Sequence, residues 1–158
     1  MTAIVHKVGF IGLGIMGRRM ITNMVPPPRF EITGAWDPNP QACTDAATET
    51  PGLAIMEDAD KAIMGADLVY IATPPLYHRD YADRAMAAEK AVYCEKPLGV
   101  DIEDSRALVA ALEDNWTPNV VNFAQASSHA VALTKVRIDS GALGDIIGVD
   151  IIVHFARW

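Results

Sequence analysis

Val8-Gly9-Phe10-Ile11-Gly12-Leu13-Gly14-Ile15-Met16-Gly17 is the stretch that decides the fold. It is a G-x-G-x-x-G turn placed where an apolar strand ends and a helix begins, and Asp37 follows about twenty positions beyond Gly17. Each part has a physical use. Gly12 allows the tight turn. Gly14 lets backbone approach a pyrophosphate with no Cβ in the way. Gly17 lets the helix pack close to the strand. The helix N-terminus offers unpaired N–H groups and partial positive charge to phosphates, so Leu13, Ile15 and Met16 belong to the same candidate site. Asp37, at the predicted end of the second strand, can accept hydrogen bonds from two ribose hydroxyls. The run therefore predicts a dinucleotide site.

The rest of the chain alternates in the same way. Strands are expected over residues 4–11, 30–36, 53–55, 67–72, 91–94 and 120–123. Helices are expected over 15–24, 38–50, 58–64, 76–89, 101–115 and 128–140. Residues 67–72 are nearly all apolar, as a strand covered on both faces should be. The prolines at 26–28 should stop the first helix, Asp101 is a candidate N-cap, and Gly141 should end the last helix. This βαβα order predicts an α/β fold, a doubly wound parallel sheet with helices on both faces. In the strand order 3-2-1-4-5-6 ligands lie at the carboxyl ends of the strands. Gly12, Asp37, Ala72-Thr73-Pro74, Glu95-Lys96-Pro97, Asn122 and Gln125 all fall on that rim.

Composition narrows the function classes. Of 158 residues 51% are hydrophobic, enough to bury a core. A net charge of −7 argues against a nucleic-acid surface, which needs clustered Lys and Arg. Cys43 and Cys94 have no metal or redox spacing and read as reduced thiols, so a cytoplasmic location is expected. The N-terminus carries no secretory pattern, and no apolar run approaches transmembrane length. No metal site is expected. Residues 146–155 read as a long strand with no sheet of its own to join, like the first strand of a second domain. The expected division is therefore 1–123 for the nucleotide domain and 124–158 for a connecting helix and that strand. Its apolar surface and unpaired edge predict self-association.

Three further stretches carry a resemblance: Ala72-Thr73-Pro74-Pro75-Leu76-Tyr77-His78, residues 85–90, and Val92-Tyr93-Cys94-Glu95-Lys96-Pro97-Leu98-Gly99. With the glycine turn, they resemble the glucose–fructose oxidoreductase, inositol dehydrogenase and rhizopine catabolism (Gfo/Idh/MocA) family. Ser140-Gly141-Ala142-Leu143-Gly144-Asp145 is similar to the family's link into a second domain. The resemblance implies a Rossmann domain and hydride transfer between a nicotinamide cofactor and a secondary alcohol of a sugar, inositol or similar polyol. It implies Lys96 as the catalytic residue, touching the nicotinamide ribose and the substrate hydroxyl. Pro97 would follow a cis peptide bond that aims the lysine, and Glu95 would help fix the loop. Thr73, Pro74 and Ala72 would shape the loop around the cofactor. His78 would be a cofactor contact or simply a helix-start residue. Gln125 stands where the family commonly has a charged residue, which leaves substrate anchoring open. The family's catalytic histidine lies in the second domain, and His154 is not assigned that role.

Asp37 favours the free 2′-hydroxyl of NAD and repels the 2′-phosphate of NADP. Arg18 and Arg19 are the residues that could instead face such a phosphate. NAD is the expected cofactor, with NADP possible. The opening also resembles the 3-hydroxyisobutyrate and 6-phosphogluconate dehydrogenase group, but no Ser-Gly-Gly motif follows near residues 115–130. A non-catalytic dinucleotide-binding module is the third reading.

Overall fold

A computed structural model describes residues 4–24, 29–124 and 126–152. Its strands are β1 (His6–Ile11), β2 (Phe30–Trp36), β3 (Leu68–Ile71), β4 (Ala91–Cys94) and β5 (Asn119–Val121). They form one parallel sheet in the order β2-β1-β3-β4-β5. The helices are α1 (Ile15–Met24), α2 (Pro40–Glu49), α3 (Ala59–Met64), α4 (His78–Ala87), α5 (Ile102–Asp114) and α6 (His129–Asp139). A single 3₁₀ turn, Pro75–Tyr77, precedes α4.

Side chains alternate across each strand and so feed two cores. Val8, Phe10 and Tyr70 face Ile21 and Met24 of α1 and Ala46 of α2. Ile11, Val69, Ile71 and Val92 face Ile63 of α3, Ala85 of α4 and Leu108 and Leu112 of α5. Helices cover both faces, as a doubly wound sheet requires.

Helix starts follow the local chemistry. Asn39 caps α2 by accepting from Gln41 N, and Pro40 occupies the first turn, where its missing N–H costs nothing. Asp58, Asp101 and Ser128 cap α3, α5 and α6 in the same way. The helix expected at 38–50 therefore begins two residues late, because residues 38 and 39 are the lead-in and the cap.

Three expectations change. Residues 53–55 do not form a full strand; a single bridge, Ala35 to Ile55, stands where the third strand of the 3-2-1-4-5-6 order was expected. The pairing there consists of Ala35 N to Ala54 O and Met56 N to Ala35 O. The helix expected at 76–89 is split, because the run Pro74-Pro75 lacks the N–H groups of a regular first turn and settles into the 3₁₀ turn before α4. The strand expected at 146–155 is not formed over 146–152, which carry no regular secondary structure. A strand needs a hydrogen-bonded neighbour, and among the described residues this stretch has none. Its remaining positions lie outside the described residues, as do the prolines at 26–28.

Contacts divide the chain into two compact units, Met1–Asn122 and Phe123–Trp158. Within the second, α6 buries no side chain and ends at Asp139, with Ser140 as its C-cap and Gly141 at φ +71° just beyond. Among the described residues no helix is long and apolar enough to cross a membrane.

Candidate functional site

The turn between β1 and α1 is built by close approach. Gly12 has φ +96°, and a Cβ there would lie 2.6 Å from the Ala72 carbonyl carbon and 2.7 Å from Thr73 N. Only glycine lets β1 pass the end of β3 this closely. A Cβ on Gly17 would strike the Gly12 carbonyl oxygen, so α1 sits tight on the turn. Gly14 differs: a Cβ there would meet nothing within 4 Å. Its open side is the floor of a groove of about 640 Å³.

Gly14, Ile15, Met16, Asp37, Ala72, Thr73 and Pro74 all line that groove, so the fold brings seven of the expected site residues together. Gly12, Leu13 and Gly17 lie beneath it and hold the turn. Sequence reading missed Ala42, Tyr77 and Tyr81 in the same wall. Tyr77 lies in the quoted Thr73–His78 stretch, and Tyr81 is one turn further on, a spacing that could have flagged both.

Asp37 is the hinge of the groove. Its Oδ2 accepts from Leu13 N at 2.7 Å, and its Oδ1 accepts from Asn39 N at 2.8 Å. One carboxylate thus ties the glycine turn to the start of α2. Each oxygen still has a lone pair for a ligand hydroxyl. Arg18 is committed elsewhere: it donates to the Leu13 carbonyl and pairs with Glu49 at 3.0 Å. Arg19 lies in a separate shallow groove beside Thr22 and Asn23. Thr73 Oγ1 is buried and has no hydrogen-bond partner. A buried hydroxyl without a partner is costly, and in a groove wall it fits a ligand that completes it. The open Gly14 face and this hydroxyl both suit a bound dinucleotide.

Past β4 the chain enters Glu95-Lys96-Pro97. Lys96 and Pro97 are exposed, their peptide bond is cis, and neither lines the groove. No ion pair among the described residues uses the Lys96 amine. Glu95 is only 4% exposed and is surrounded by donors. Its Oε1 accepts from Tyr70 Oη at 2.5 Å and Asn122 Nδ2 at 2.6 Å, and its Oε2 accepts from the Lys96 N–H at 3.2 Å. Tyr93 Oη donates to Asn122 Oδ1 at 3.1 Å. The ends of β3 and β4 and the residue following β5 thus share one buried network directly under the lysine. Among its members the sequence had singled out only Glu95 and Asn122.

Burial, and then the Glu95 carboxylate, push the Tyr70 hydroxyl far above its ordinary range and raise Tyr93 as well. The same causes in the same order push the Cys94 thiol from 9.0 up to about 12. The sign of the pH effect follows. Between these values the folded thiol keeps a proton that the unfolded chain has released. Stability is therefore full below pH 9.0 and falls as pH climbs towards 12. The slope is about 1.4 kcal/mol per pH unit per group. Urea midpoints across this range should drop steeply for the parent chain and less steeply for Cys94→Ala. A flat profile for the parent would contradict the buried thiol.

Of the two roles expected for His78, the structure shows the helix-start position, at the beginning of α4. Its ring is fully buried, with Nε2 2.8 Å from the Thr73 carbonyl oxygen and Nδ1 3.3 Å from that of Leu98. Both ring nitrogens face protein, so none is left for a ligand in the groove. Gln125 and His154 lie outside the described residues.

Comparison with known proteins follows the same lines. A family model described as an oxidoreductase family with an NAD-binding Rossmann fold matches residues 6–123. Inositol 2-dehydrogenase of Rhodococcus erythropolis is 32% identical, the match covering 96% of this chain and 44% of that protein. Glucose-6-phosphate 3-dehydrogenase of Bacillus subtilis is 26% identical, over 96% of this chain and 42% of that protein. Among solved structures, scyllo-inositol dehydrogenase from Lactobacillus casei with bound NAD(H) and scyllo-inositol superposes with a TM-score of 0.80 at 26% identity. That match covers 89% of this chain and 43% of the other. The chain thus spans less than half the length of these relatives. The glycine turn, the sheet order and the Glu-Lys-Pro loop lead to one conclusion: the chain belongs to the Gfo/Idh/MocA oxidoreductase family.

Proposed function

We propose that this chain is the cofactor-binding half of an NAD-dependent dehydrogenase that acts on a secondary alcohol of a sugar, inositol or similar polyol. The observation that carries the reading is the groove lined by Gly14, Asp37 and Thr73, where the Gly14 face is open and the Thr73 hydroxyl has no partner. A nicotinamide dinucleotide, when bound, supplies the hydride acceptor. The chain's own residues do the rest. The N–H groups opening α1 hold pyrophosphate. Asp37 takes the ribose hydroxyls while keeping its two backbone bonds. Thr73 Oγ1 gains the partner it lacks in the protein. Lys96, steadied through its own N–H by Glu95, takes the proton released from the substrate hydroxyl. The chemistry is supported by relatives named as inositol and sugar dehydrogenases. In the intact enzyme a further segment would complete the substrate pocket. Self-association is part of the proposal, since the apolar side chains of Ile147, Val149, Ile151 and Ile152 are exposed.

NAD over NADP follows from charge. The Asp37 carboxylate would meet the 2′-phosphate of NADP, and Arg18, a cation that could answer it, is already paired with Glu49. Asp37→Ser is the test, read as the ratio of NADPH to NADH affinity. The ratio cancels loop damage from losing the bonds to Leu13 and Asn39, because both cofactors suffer it equally. It should move towards NADPH by about tenfold or more, the effect of one charge repulsion of about 1.4 kcal/mol. An unchanged ratio would count against Asp37 as the discriminating group.

A further inference from the structure

The buried imidazole of His78 holds the loop after β3, which the proposed chemistry needs in place. A fully buried ring is costly unless its polar atoms are paired. Here one nitrogen lies 2.8 Å from the Thr73 carbonyl oxygen and the other 3.3 Å from that of Leu98. Thr73 lies just beyond β3 in the groove wall; Leu98 lies two residues beyond Lys96. The shorter contact takes the ring N–H, so Nε2 donates to Thr73.

The loop after β3 is poor in backbone donors: Pro74 and Pro75 lack N–H groups, and the local turn bonds run from Tyr77 N to the Pro74 carbonyl and from His78 N to the Pro75 carbonyl. Thr73 itself presents two polar groups. His78 takes its carbonyl, and its hydroxyl is buried with no partner. The ring is anchored at the start of α4, whose neighbours Tyr81, Ala82 and Ala85 are in the core, so it forms a rigid reference for the Thr73 loop.

We propose that His78 is a positioning residue: by holding the Thr73 carbonyl it turns the Thr73 hydroxyl towards a polar group of the bound dinucleotide. The assignment rests on the dinucleotide reading above. It replaces direct cofactor contact by His78 with action through Thr73.

The test is a double-mutant cycle on the whole chain, read by NADH fluorescence titration. His78→Leu and Thr73→Val should each weaken NADH by about tenfold, the value of one hydrogen bond. The double variant should be no weaker than either single one, because both changes remove the same hydroxyl contact. His78→Gln, whose amide can still donate to Thr73, should recover most of the affinity. Without ligand, the backbone amide NMR shifts of Ala72, Thr73 and Leu76 should move in His78→Leu and return in His78→Gln. If His78→Leu does not fold, His78→Asn replaces it, since the shorter amide cannot reach Thr73. Additive losses, or a Gln variant as weak as Leu, overturn the positioning role and leave the dinucleotide reading standing. A parent chain that does not bind NADH overturns both.

Discussion

Gly12→Ala costs the domain about 3 kcal/mol or more, enough to unfold a chain of ordinary stability under mild denaturant. Two penalties act together. The residue sits at φ +96°, where an L side chain is strained. The new Cβ also lies 2.6 Å from the Ala72 carbonyl carbon and 2.7 Å from Thr73 N, and neither backbone atom can rotate away. Relief requires parting β1 from the end of β3, at the centre of the sheet. Urea unfolding followed by circular dichroism measures the loss. Equal midpoints for parent and variant would show that the turn is not packed as described.

Glu95→Ala should lose a similar amount, about 3–5 kcal/mol, because it strips one acceptor from three donors at once. Tyr70 Oη, Asn122 Nδ2 and the Lys96 N–H all point at this carboxylate. Tyr70 and Asn122 are buried, so water cannot readily replace it. Glu95→Gln should cost clearly less. Its amide oxygen can still accept from Tyr70 and Asn122, and only the side facing the Lys96 N–H meets a donor instead. The ordering of the two variants is the decisive readout, again by urea unfolding. If Gln is as damaging as Ala, charge rather than hydrogen bonding holds the network. If neither is damaging, the network carries no stability.

The parts of the fold that were legible are those with a local signal. Residues 91–94 and most of 67–72 read as strands and are strands, because continuous apolar runs have one use in a sheet covered on both faces. The glycine turn was legible residue by residue. Gly12 and Gly17 have the close backbone neighbours that the tight turn and the close helix–strand packing imply, and Gly14 faces open space. Residues 53–55 were overread, because short apolar runs look alike whether they pair once or along their length. The site was less legible where it depends on distance in space. Tyr70, Tyr93, Glu95 and Asn122 lie on different strand ends, and no spacing rule joins residues that meet only when β3, β4 and β5 align. His78 was visible as a histidine after a Thr-Pro loop. That its ring turns inward to two carbonyls depends on burial, which a single polar letter does not encode.

The central claim, that the groove over Gly14 holds a nicotinamide dinucleotide, is tested most directly by titrating NADH into the parent chain and into Gly14→Ala. The added methyl meets nothing within 4 Å of the protein, so folding stability should change by no more than about 1 kcal/mol. It does stand where the backbone must approach pyrophosphate. Saturable binding to the parent, weakened at least about tenfold in a Gly14→Ala chain of near-parental stability, is the expected result. Absence of saturable binding to the parent, or equal affinity in the two chains, would contradict it.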